Sequence, residues 1–453
     1  MLDIVVLAAG KGTRMKSDLP KVLHTIAGKP MLSHVLDTAR KVGADNLNVV
    51  IGHGSELVEQ TVAASDVHFV MQAEQLGTGH AVQQAEHLLR DEAVVIVLCG
   101  DVPLIKESTL TDLVSQVSDS SMGLLTLDID NATGYGRIVR DHNGEVIAIV
   151  EHKDATREQL DICEINTGVM AFKGAHLKDW LHLISNKNSS GEYYLTDMIA
   201  IAHEKGIAIA TAKAQSEMEV LGVNNRMQQA MLERYFQQSI AQELMVNGVT
   251  MADPSRFDSR GNIEVGRDVS IDVNCVFEGE VKLGNGVSIA PNCIIKNAVI
   301  GDNTVIKANS MIESATVAAE CEVGPYARLR PGTELKTGAK IGNFVETKKA
   351  VIGVGSKVNH LSYVGDAVVG THCNLGAGVI TCNYDGANKF KTDIGNNVFV
   401  GTNTALVAPV TLADGSTTGA GSVISTSVEK NQLAVSRAKQ RNIDGWVRPT
   451  KKQ

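Results

Sequence analysis

An aliphatic residue recurs every six positions through most of the second half of this 453-residue chain, and that rhythm restricts its folding more than any other feature. Val265, Ile271, Phe277, Leu283, Ile289 and Ile295 keep the step, and after a five-residue interval it continues at Ile300, Ile306 and Ile312. Val323, Leu329, Leu335 and Ile341 follow, then Ile352, Val358, Val364, Val369 and Leu375, and finally Ile394, Val400, Leu406, Leu412, Thr418 and Ile424. Four residues after the repeated position the side chain is small or β-branched, as at Val269, Cys275, Val281, Val287, Cys293, Thr333, Ala339, Ser356, Val410 and Ser416. Sustained over about 160 residues, this is the hexapeptide signature of a left-handed parallel β-helix, with three short strands per coil and about nine coils. Aromatic residues make up only 4% of the chain while glycine numbers 42, as a regular array of small and branched side chains requires. Cys275, Cys293, Cys321 and Cys373 fall on the small inward position and read as packing thiols. Cys382–Asp393 (CNYDGANKFKTD) breaks the rhythm as a polar loop, and interruptions of a repeat tend to lie on the binding face.

The first half reads differently. Short β-branched runs at Ile4–Leu7, Leu47–Ile51, Val67–Val70 and Ala93–Leu98 alternate with helical patterns such as Met31–Val42 and Gly79–Leu89. That order predicts a Rossmann-like α/β domain with a mostly parallel sheet over residues 1–226. Residues 225–247 read as one amphipathic helix, with 227–247 as linker, 248–437 as the β-helix domain and 438–453 as a basic tail. The tail carries Arg437, Lys439, Arg441, Arg448, Lys451 and Lys452; it reads as a solvated face or as a contact for anionic phosphates.

A net charge of −9 argues against nucleic acid as partner. No run approaches the roughly 20 apolar residues of a membrane span, and the opening Met1-Leu-Asp-Ile carries no basic leader. Seven cysteines without a Cys-x-x-Cys pair suggest a reducing, cytoplasmic setting.

Chemistry enters directly after the first strand. In Leu7-Ala-Ala-Gly-Lys-Gly-Thr-Arg-Met15, Gly10 and Gly12 permit a tight loop whose N–H groups can face phosphate. The dinucleotide fingerprint needs glycine where Met15 stands, and the P-loop Gly-Lys-Ser/Thr is missing. The extension to Pro20-Lys21 resembles the signature of sugar-phosphate nucleotidyltransferases. Attack of a sugar phosphate on a nucleotide α-phosphate gathers several negative charges, which Arg14 and Lys21 can screen. Asp101, in Leu98-Cys99-Gly100-Asp101, ends a buried strand where α/β sheets bind ligands, and beside a triphosphate it suits Mg²⁺. Gln72 and the following Gln-Leu-Gly77-Thr78-Gly offer an amide and open backbone for a pyrimidine edge.

A nucleotidyltransferase signature, a linking helix and a long hexapeptide array together resemble the bacterial bifunctional N-acetylglucosamine-1-phosphate uridyltransferase / glucosamine-1-phosphate acetyltransferase family. The likeness spans the whole chain, including Glu151-His-Lys-Asp154, Glu164-Ile-Asn-Thr-Gly168, Gly191–Asp197 and Gly222-Val-Asn-Asn225. It implies synthesis of UDP-N-acetylglucosamine from glucosamine-1-phosphate, acetyl-CoA and UTP. Leu7, Ala8, Ala9, Gly10, Lys21, Gln72, Gly77, Thr78, Cys99, Gly100, Asp101, Gly136, Glu151, Asn166 and Asn224 would line the UDP-sugar site, with Asp101 and Asn224 on Mg²⁺. A homotrimer built through the β-helix is implied as well.

In the β-helix, every three hexapeptides return to one face, with coils about 4.8 Å apart. Arg330 and Lys348, 18 residues apart, each follow an inward position, while Glu346 and Tyr363 each precede one; His360 falls in the turn before that strand. Arg330, Lys348 and Lys389 would clamp a phosphate, and His360 would take the proton of the attacking amine with Glu346 to orient it. The resemblance adds Tyr363, Asn374, Asn383 and Tyr384 as sugar-phosphate contacts. It assigns Ala377, Asn383, Tyr384, Thr402, Ala420 and Arg437 to acetyl-CoA, Thr402 standing where serine is expected. A purely scaffolding β-helix would not need stacked outward cations, and a β-helix zinc enzyme needs three histidine ligands where this half has only His360 and His372.

Overall fold

Leu2–Ala8 is the strand around which the first half is organised. In the computed structural model, which describes residues 1–188 and 190–451, it lies near the middle of a nine-stranded sheet. The main path runs Ala208–Lys213, Ser121–Asp128, Glu164–Lys173, Val94–Cys99, Leu2–Ala8, Asn46–Ile51, Val67–Met71. Leu2–Ala8 pairs in parallel with both neighbours, whereas Glu164–Lys173 is antiparallel to both of its own. Strands covered on both faces bury nearly every residue, which is why the sequence shows unbroken apolar runs there instead of alternation. Leu7 stands opposite Cys99 in the register, so the glycine loop and Asp101 leave the sheet from adjacent carboxyl ends.

The chain divides into compact units at Met1–Phe236 and Gln237–Gln453. The Arg226–Val246 helix begins in one and ends in the other. Lys452, one of the basic tail residues, lies outside the described residues.

The second unit is a stack of short parallel strands in an 11-stranded and a 14-stranded sheet. Three faces become two sheets because strands such as Cys275–Leu283, Glu346–Ile352 and Tyr363–Val369 run round a corner without a break. The six-residue aliphatic positions from Ile271 to Ile424 line the core, and the small i+4 positions are buried beside them. The four inward thiols each reach a carbonyl of the next coil: Cys275 to Ala290, Cys293 to Lys307, Cys321 to Lys336 and Cys373 to Gly395. A small apolar body with a weak donor suits a position that must pack tightly and still face backbone. The corners use left-handed backbone, at glycine and asparagine more than at any other residue; one corner carries Tyr326, Phe344 and Leu361 at φ 55°, 58° and 51° on successive coils.

Glu322 accepts from Lys307 at 2.8 Å and pairs also with Lys340, and these two ammonium groups hold its carboxyl down at about 2. A carboxyl lowered on folding stabilises above its ordinary range, and that contribution is lost as pH falls from about 4.5 toward 2. The three side chains are 36–43% exposed, so solvent screening keeps the effect modest. Glu322→Gln should therefore lower Tm at pH 7 slightly and leave it nearly unchanged at pH 2; thermal melts across this range at low and high salt measure it.

Candidate active sites

Gly12 has φ +59°, and a Cβ there would come within 2.7 Å of the Lys21 Cβ. The loop therefore packs directly against the turn Lys21–Leu23 and brings its ammonium to the sheet's carboxyl edge. Lys21 Nζ pairs with Asp101 Oδ2 and lies 3.3 Å from Asn224 Oδ1, which also accepts from Arg14 Nη2 at 2.8 Å. The Asn224 side chain is held in turn, its Nδ2 donating to Gly222 O at 3.1 Å, while Val223 N donates to Asp101 O at 3.0 Å. Two hard oxygens thus converge on one cationic atom, an arrangement that fits Mg²⁺ with its remaining ligands drawn from phosphate and water. Among the described residues no cluster of three His, Cys, Asp or Glu side chains is suited to a metal.

Two cavities share Leu7, Thr78, Cys99 and Glu192. The smaller, about 270 Å³, is lined by Leu7, Ala8, Ala9, Gly10, Lys21, Gln72, Gly77, Thr78 and Asp101. The larger, about 380 Å³, adds Glu151, Asn166, Gly168 and Tyr194. Gly77 has φ +117°, and a Cβ there would meet Tyr193 O at 2.5 Å, so only glycine allows this floor. Burial, followed by the charge of Asp154, raises the Glu151 carboxyl above its ordinary range. Burial and then Asp101 push the Cys99 thiol up to about 12.

Four expected residues, Arg14, Gly100, Gly136 and Asn224, lie outside the cavity linings. Gly100 N donates to Leu7 O at 2.9 Å beneath the strand ends; Gly136 O accepts from Asn166 N at 2.9 Å behind Glu151. Arg14 meets the site through Asn224. Glu192 and Tyr194 line the space without having been singled out. They sit in Gly191–Asp197, a motif that supported the resemblance but offered no chemistry from which to assign a role.

On the β-helix the register brings Glu346 opposite Tyr363 and Lys348 opposite Gly365. Arg330 Nη1 donates to Glu346 Oε1 at 2.7 Å. The charges of Lys389 and then Arg330 lower the Lys348 ammonium from its ordinary range, so three cations are gathered close together. The interrupting loop folds back through a Tyr384–Lys389 bridge, and Asn383 Nδ2 donates to Asp366 Oδ2 at 2.5 Å.

Two expectations are corrected. His360 ends the strand Lys357–His360 and does not lie in the turn. Its Nδ1 meets Asn343 Oδ1 at 3.0 Å, so Asn343 orients the ring, while Glu346 is engaged by Arg330. A residue one coil earlier, directly opposite in the register, is the natural partner for a strand-end side chain; the 17-residue spacing of Asn343 was the available signal. Asn374 pairs with Lys357 on the face that ends in His360, apart from the strands bearing Arg330 and Lys348.

The His360 corner continues as a ladder. His360 O accepts from Gly378 N at 3.1 Å, Ala377 O from Asn403 N at 2.7 Å, and Thr402 O from Gly421 N at 2.8 Å. Asn343, His360, Ala377, Thr402 and Ala420 therefore occupy equivalent positions on successive coils. Arg437 Nη1 closes the far end on Ala420 O at 2.6 Å.

Residues 4–166 match the family model of the MobA-like NTP transferase domain, and residues 259–336 match the GMPPB C-terminal domain. Proteins named bifunctional protein GlmU are similar over the whole chain. That of Cellvibrio japonicus is 64% identical over 452 residues, covering 100% of both chains. That of Saccharophagus degradans is 61% identical with the same coverage, and that of Marinobacter nauticus 57% identical over 99% of each.

The thiols should separate by burial. Brief N-ethylmaleimide treatment at pH 7.5 should label exposed Cys163 first, leaving Cys275, Cys293, Cys321 and Cys373 unmodified until unfolding. Peptide mass mapping checks this, and early labelling of any inward thiol would contradict the packing described.

Proposed function

Because this chain belongs to the bifunctional GlmU family, we propose that its two units carry out consecutive steps: acetylation of glucosamine-1-phosphate, then uridylyl transfer to the product. It is a bifunctional uridyltransferase/acetyltransferase acting on nucleotide and other small-molecule substrates. The observation that supports the division of labour is that one unit carries both the corner ladder Asn343–His360–Ala377–Thr402–Ala420 and the gathered cations Arg330, Lys348 and Lys389.

In the β-helix unit the three cations would hold the sugar phosphate. With His360 Nδ1 donating to Asn343, Nε2 is the atom free to accept a proton. The amine nitrogen attacks the thioester carbonyl, its proton passes to His360 Nε2, and the C–S bond breaks to release the CoA thiolate. The small side chains of Ala377 and Ala420 leave room for acetyl-CoA along the corner, with Asn383, Tyr384 and Thr402 at its edge and Arg437 toward its phosphates. Tyr363, opposite Glu346 in the register, would complete the sugar contacts.

In the first unit, a phosphate oxygen of N-acetylglucosamine-1-phosphate attacks the α-phosphorus of UTP and pyrophosphate leaves. Lys21 and Arg14 would stabilise the charge gathered there. The lining from Leu7 to Gly10, with Gln72, Gly77, Thr78, Cys99 and Asp101, would take the nucleotide, and Glu151 and Asn166 the sugar, with Gly100 and Gly136 as backing. Mg²⁺ on Asp101 and Asn224 would supply charge neutralisation of the phosphates when bound.

A homotrimer through the β-helix fits the corner column of Tyr326, Phe344 and Leu361, which are 52%, 56% and 65% exposed, the first two rings stacked at 5.2 Å. Seven free thiols fit a cytoplasmic, reducing setting. No helix among the described residues is long and apolar enough to cross a membrane.

Product analysis on single-site variants tests the division. Asp101→Ala should abolish UDP-sugar formation and leave acetyl transfer intact, and loss of both in a folded protein would refute separate sites. His360→Ala should cost acetyl transfer about 10²–10⁴-fold, mainly in kcat, while Cys382→Ala keeps most activity. Asn343→Ala should lower kcat with little change in KM for the sugar phosphate. Light scattering that finds a stable, fully acetyl-active monomer would rule out the shared assembly.

A further inference from the structure

Gln72 follows the strand Val67–Met71, is 3% exposed and lines the smaller cavity. Its Nε2 lies 3.2 Å from Gly77 O and 3.0 Å from His80 Nδ1. A carbonyl oxygen can only accept, so the amide nitrogen must face Gly77, and its second proton is then directed at His80. His80 Nδ1 must therefore accept, and the ring carries its proton on Nε2. Gln84 Nε2 also lies 3.2 Å from His80 Nε2, but it already donates to His80 O at 3.1 Å, and on this part-exposed side chain of the helix Thr78–Ala85 its other proton can reach solvent. The buried Gln72 has no such freedom, so the single lone pair of a neutral imidazole serves Gln72.

With both amide protons committed, Gln72 Oε1 receives no hydrogen bond from the described residues and is the acceptor left for a ligand. We propose that His80 is a specificity-determining positioning residue: by holding Gln72 with its oxygen toward the ligand, it selects a pyrimidine with a proton on N3 over one with a lone pair there. Uracil donates from N3; cytosine presents a lone pair, which would face the amide oxygen and leave it unsatisfied. The device separates uracil from cytosine and does not separate uracil from thymine, whose N3–H is the same. This inference rests on the reading that the smaller cavity takes the base of UTP.

The test compares kcat/KM for UTP, 5-methyl-UTP and CTP in the full-length enzyme and its variants. Losing one of two acceptors should lower the UTP/CTP ratio of His80→Leu by about 2- to 10-fold, the worth of one hydrogen bond, with the UTP/5-methyl-UTP ratio unchanged. A merely loosened pocket would move both ratios. His80→Asn, whose Oδ1 can accept in place of Nδ1, should keep the UTP/CTP ratio near that of the unmodified enzyme. His80→Lys, which puts a donor there, should lower it further. If Gln72→Ala collapses the ratio while folded His80→Leu or His80→Lys leaves it unmoved, the role of His80 is overturned and the base reading survives. If Gln72→Ala itself leaves the ratio unmoved, the base reading falls.

Discussion

Stacking of one coil on the next is the constraint from which the second half of this molecule follows. Each rung must bury an aliphatic side chain and a small one against the rung below, and each must return its backbone to register so that N–H and C=O groups pair. Those demands fix every outward side chain on a lattice about 4.8 Å in pitch along the stack. Arg330 and Lys348, or Glu346 and Tyr363, are neighbours because the inward residues beside them cannot be anywhere else. Arg330, Lys348 and His360 need no dedicated loop to position them, and only Lys389 is brought in by one. The corner ladder from Asn343 to Ala420 is an unbroken series of backbone hydrogen bonds that also sets His360 in line with the small side chains of Ala377, Thr402 and Ala420.

The first half solves a similar problem with different means. Its sheet ends two adjacent parallel strands side by side, and the turn after Leu2–Ala8 is too tight for an ordinary side chain at Gly12, as is the turn after Val67–Met71 at Gly77. Close backbone approach lets Lys21 meet Asp101 and Asn224, groups separated by 80 and 203 positions in the chain. Like charges crowd one site and opposite charges pair at the other. Lys348 is pressed by Lys389 and Arg330, whereas Lys21 is balanced by a carboxylate.

Most of the fold was legible because periodicity reports burial directly. The hexapeptide rhythm carried the β-helix, the cysteine positions carried the packing thiols, and the unbroken apolar runs carried the central strands. Less of each site could be read. The stacking of Arg330 and Lys348 and the nearness of His360 came from the register, and their roles from the chemistry of an aminosugar phosphate and the family resemblance. The partner of His360 did not, since a carboxylate at Glu346 looked the better chemical match until Arg330 was found to engage it. Glu192 and Tyr194 were likewise invisible as lining, because a cavity wall has no period.

By itself the sequence determined which residues face inward, where the repeat breaks, and which charged groups share a face, since these follow from spacing along one chain. Tertiary structure alone decided which polar group holds which. Asn343 rather than Glu346 orients His360, Asn224 joins Asp101 around one ammonium, and His80 turns the amide of Gln72. Hydrogen bonds are short and directional, so a choice between two chemically suitable partners rests on differences of about an ångström, and such differences appear only once the backbone has closed.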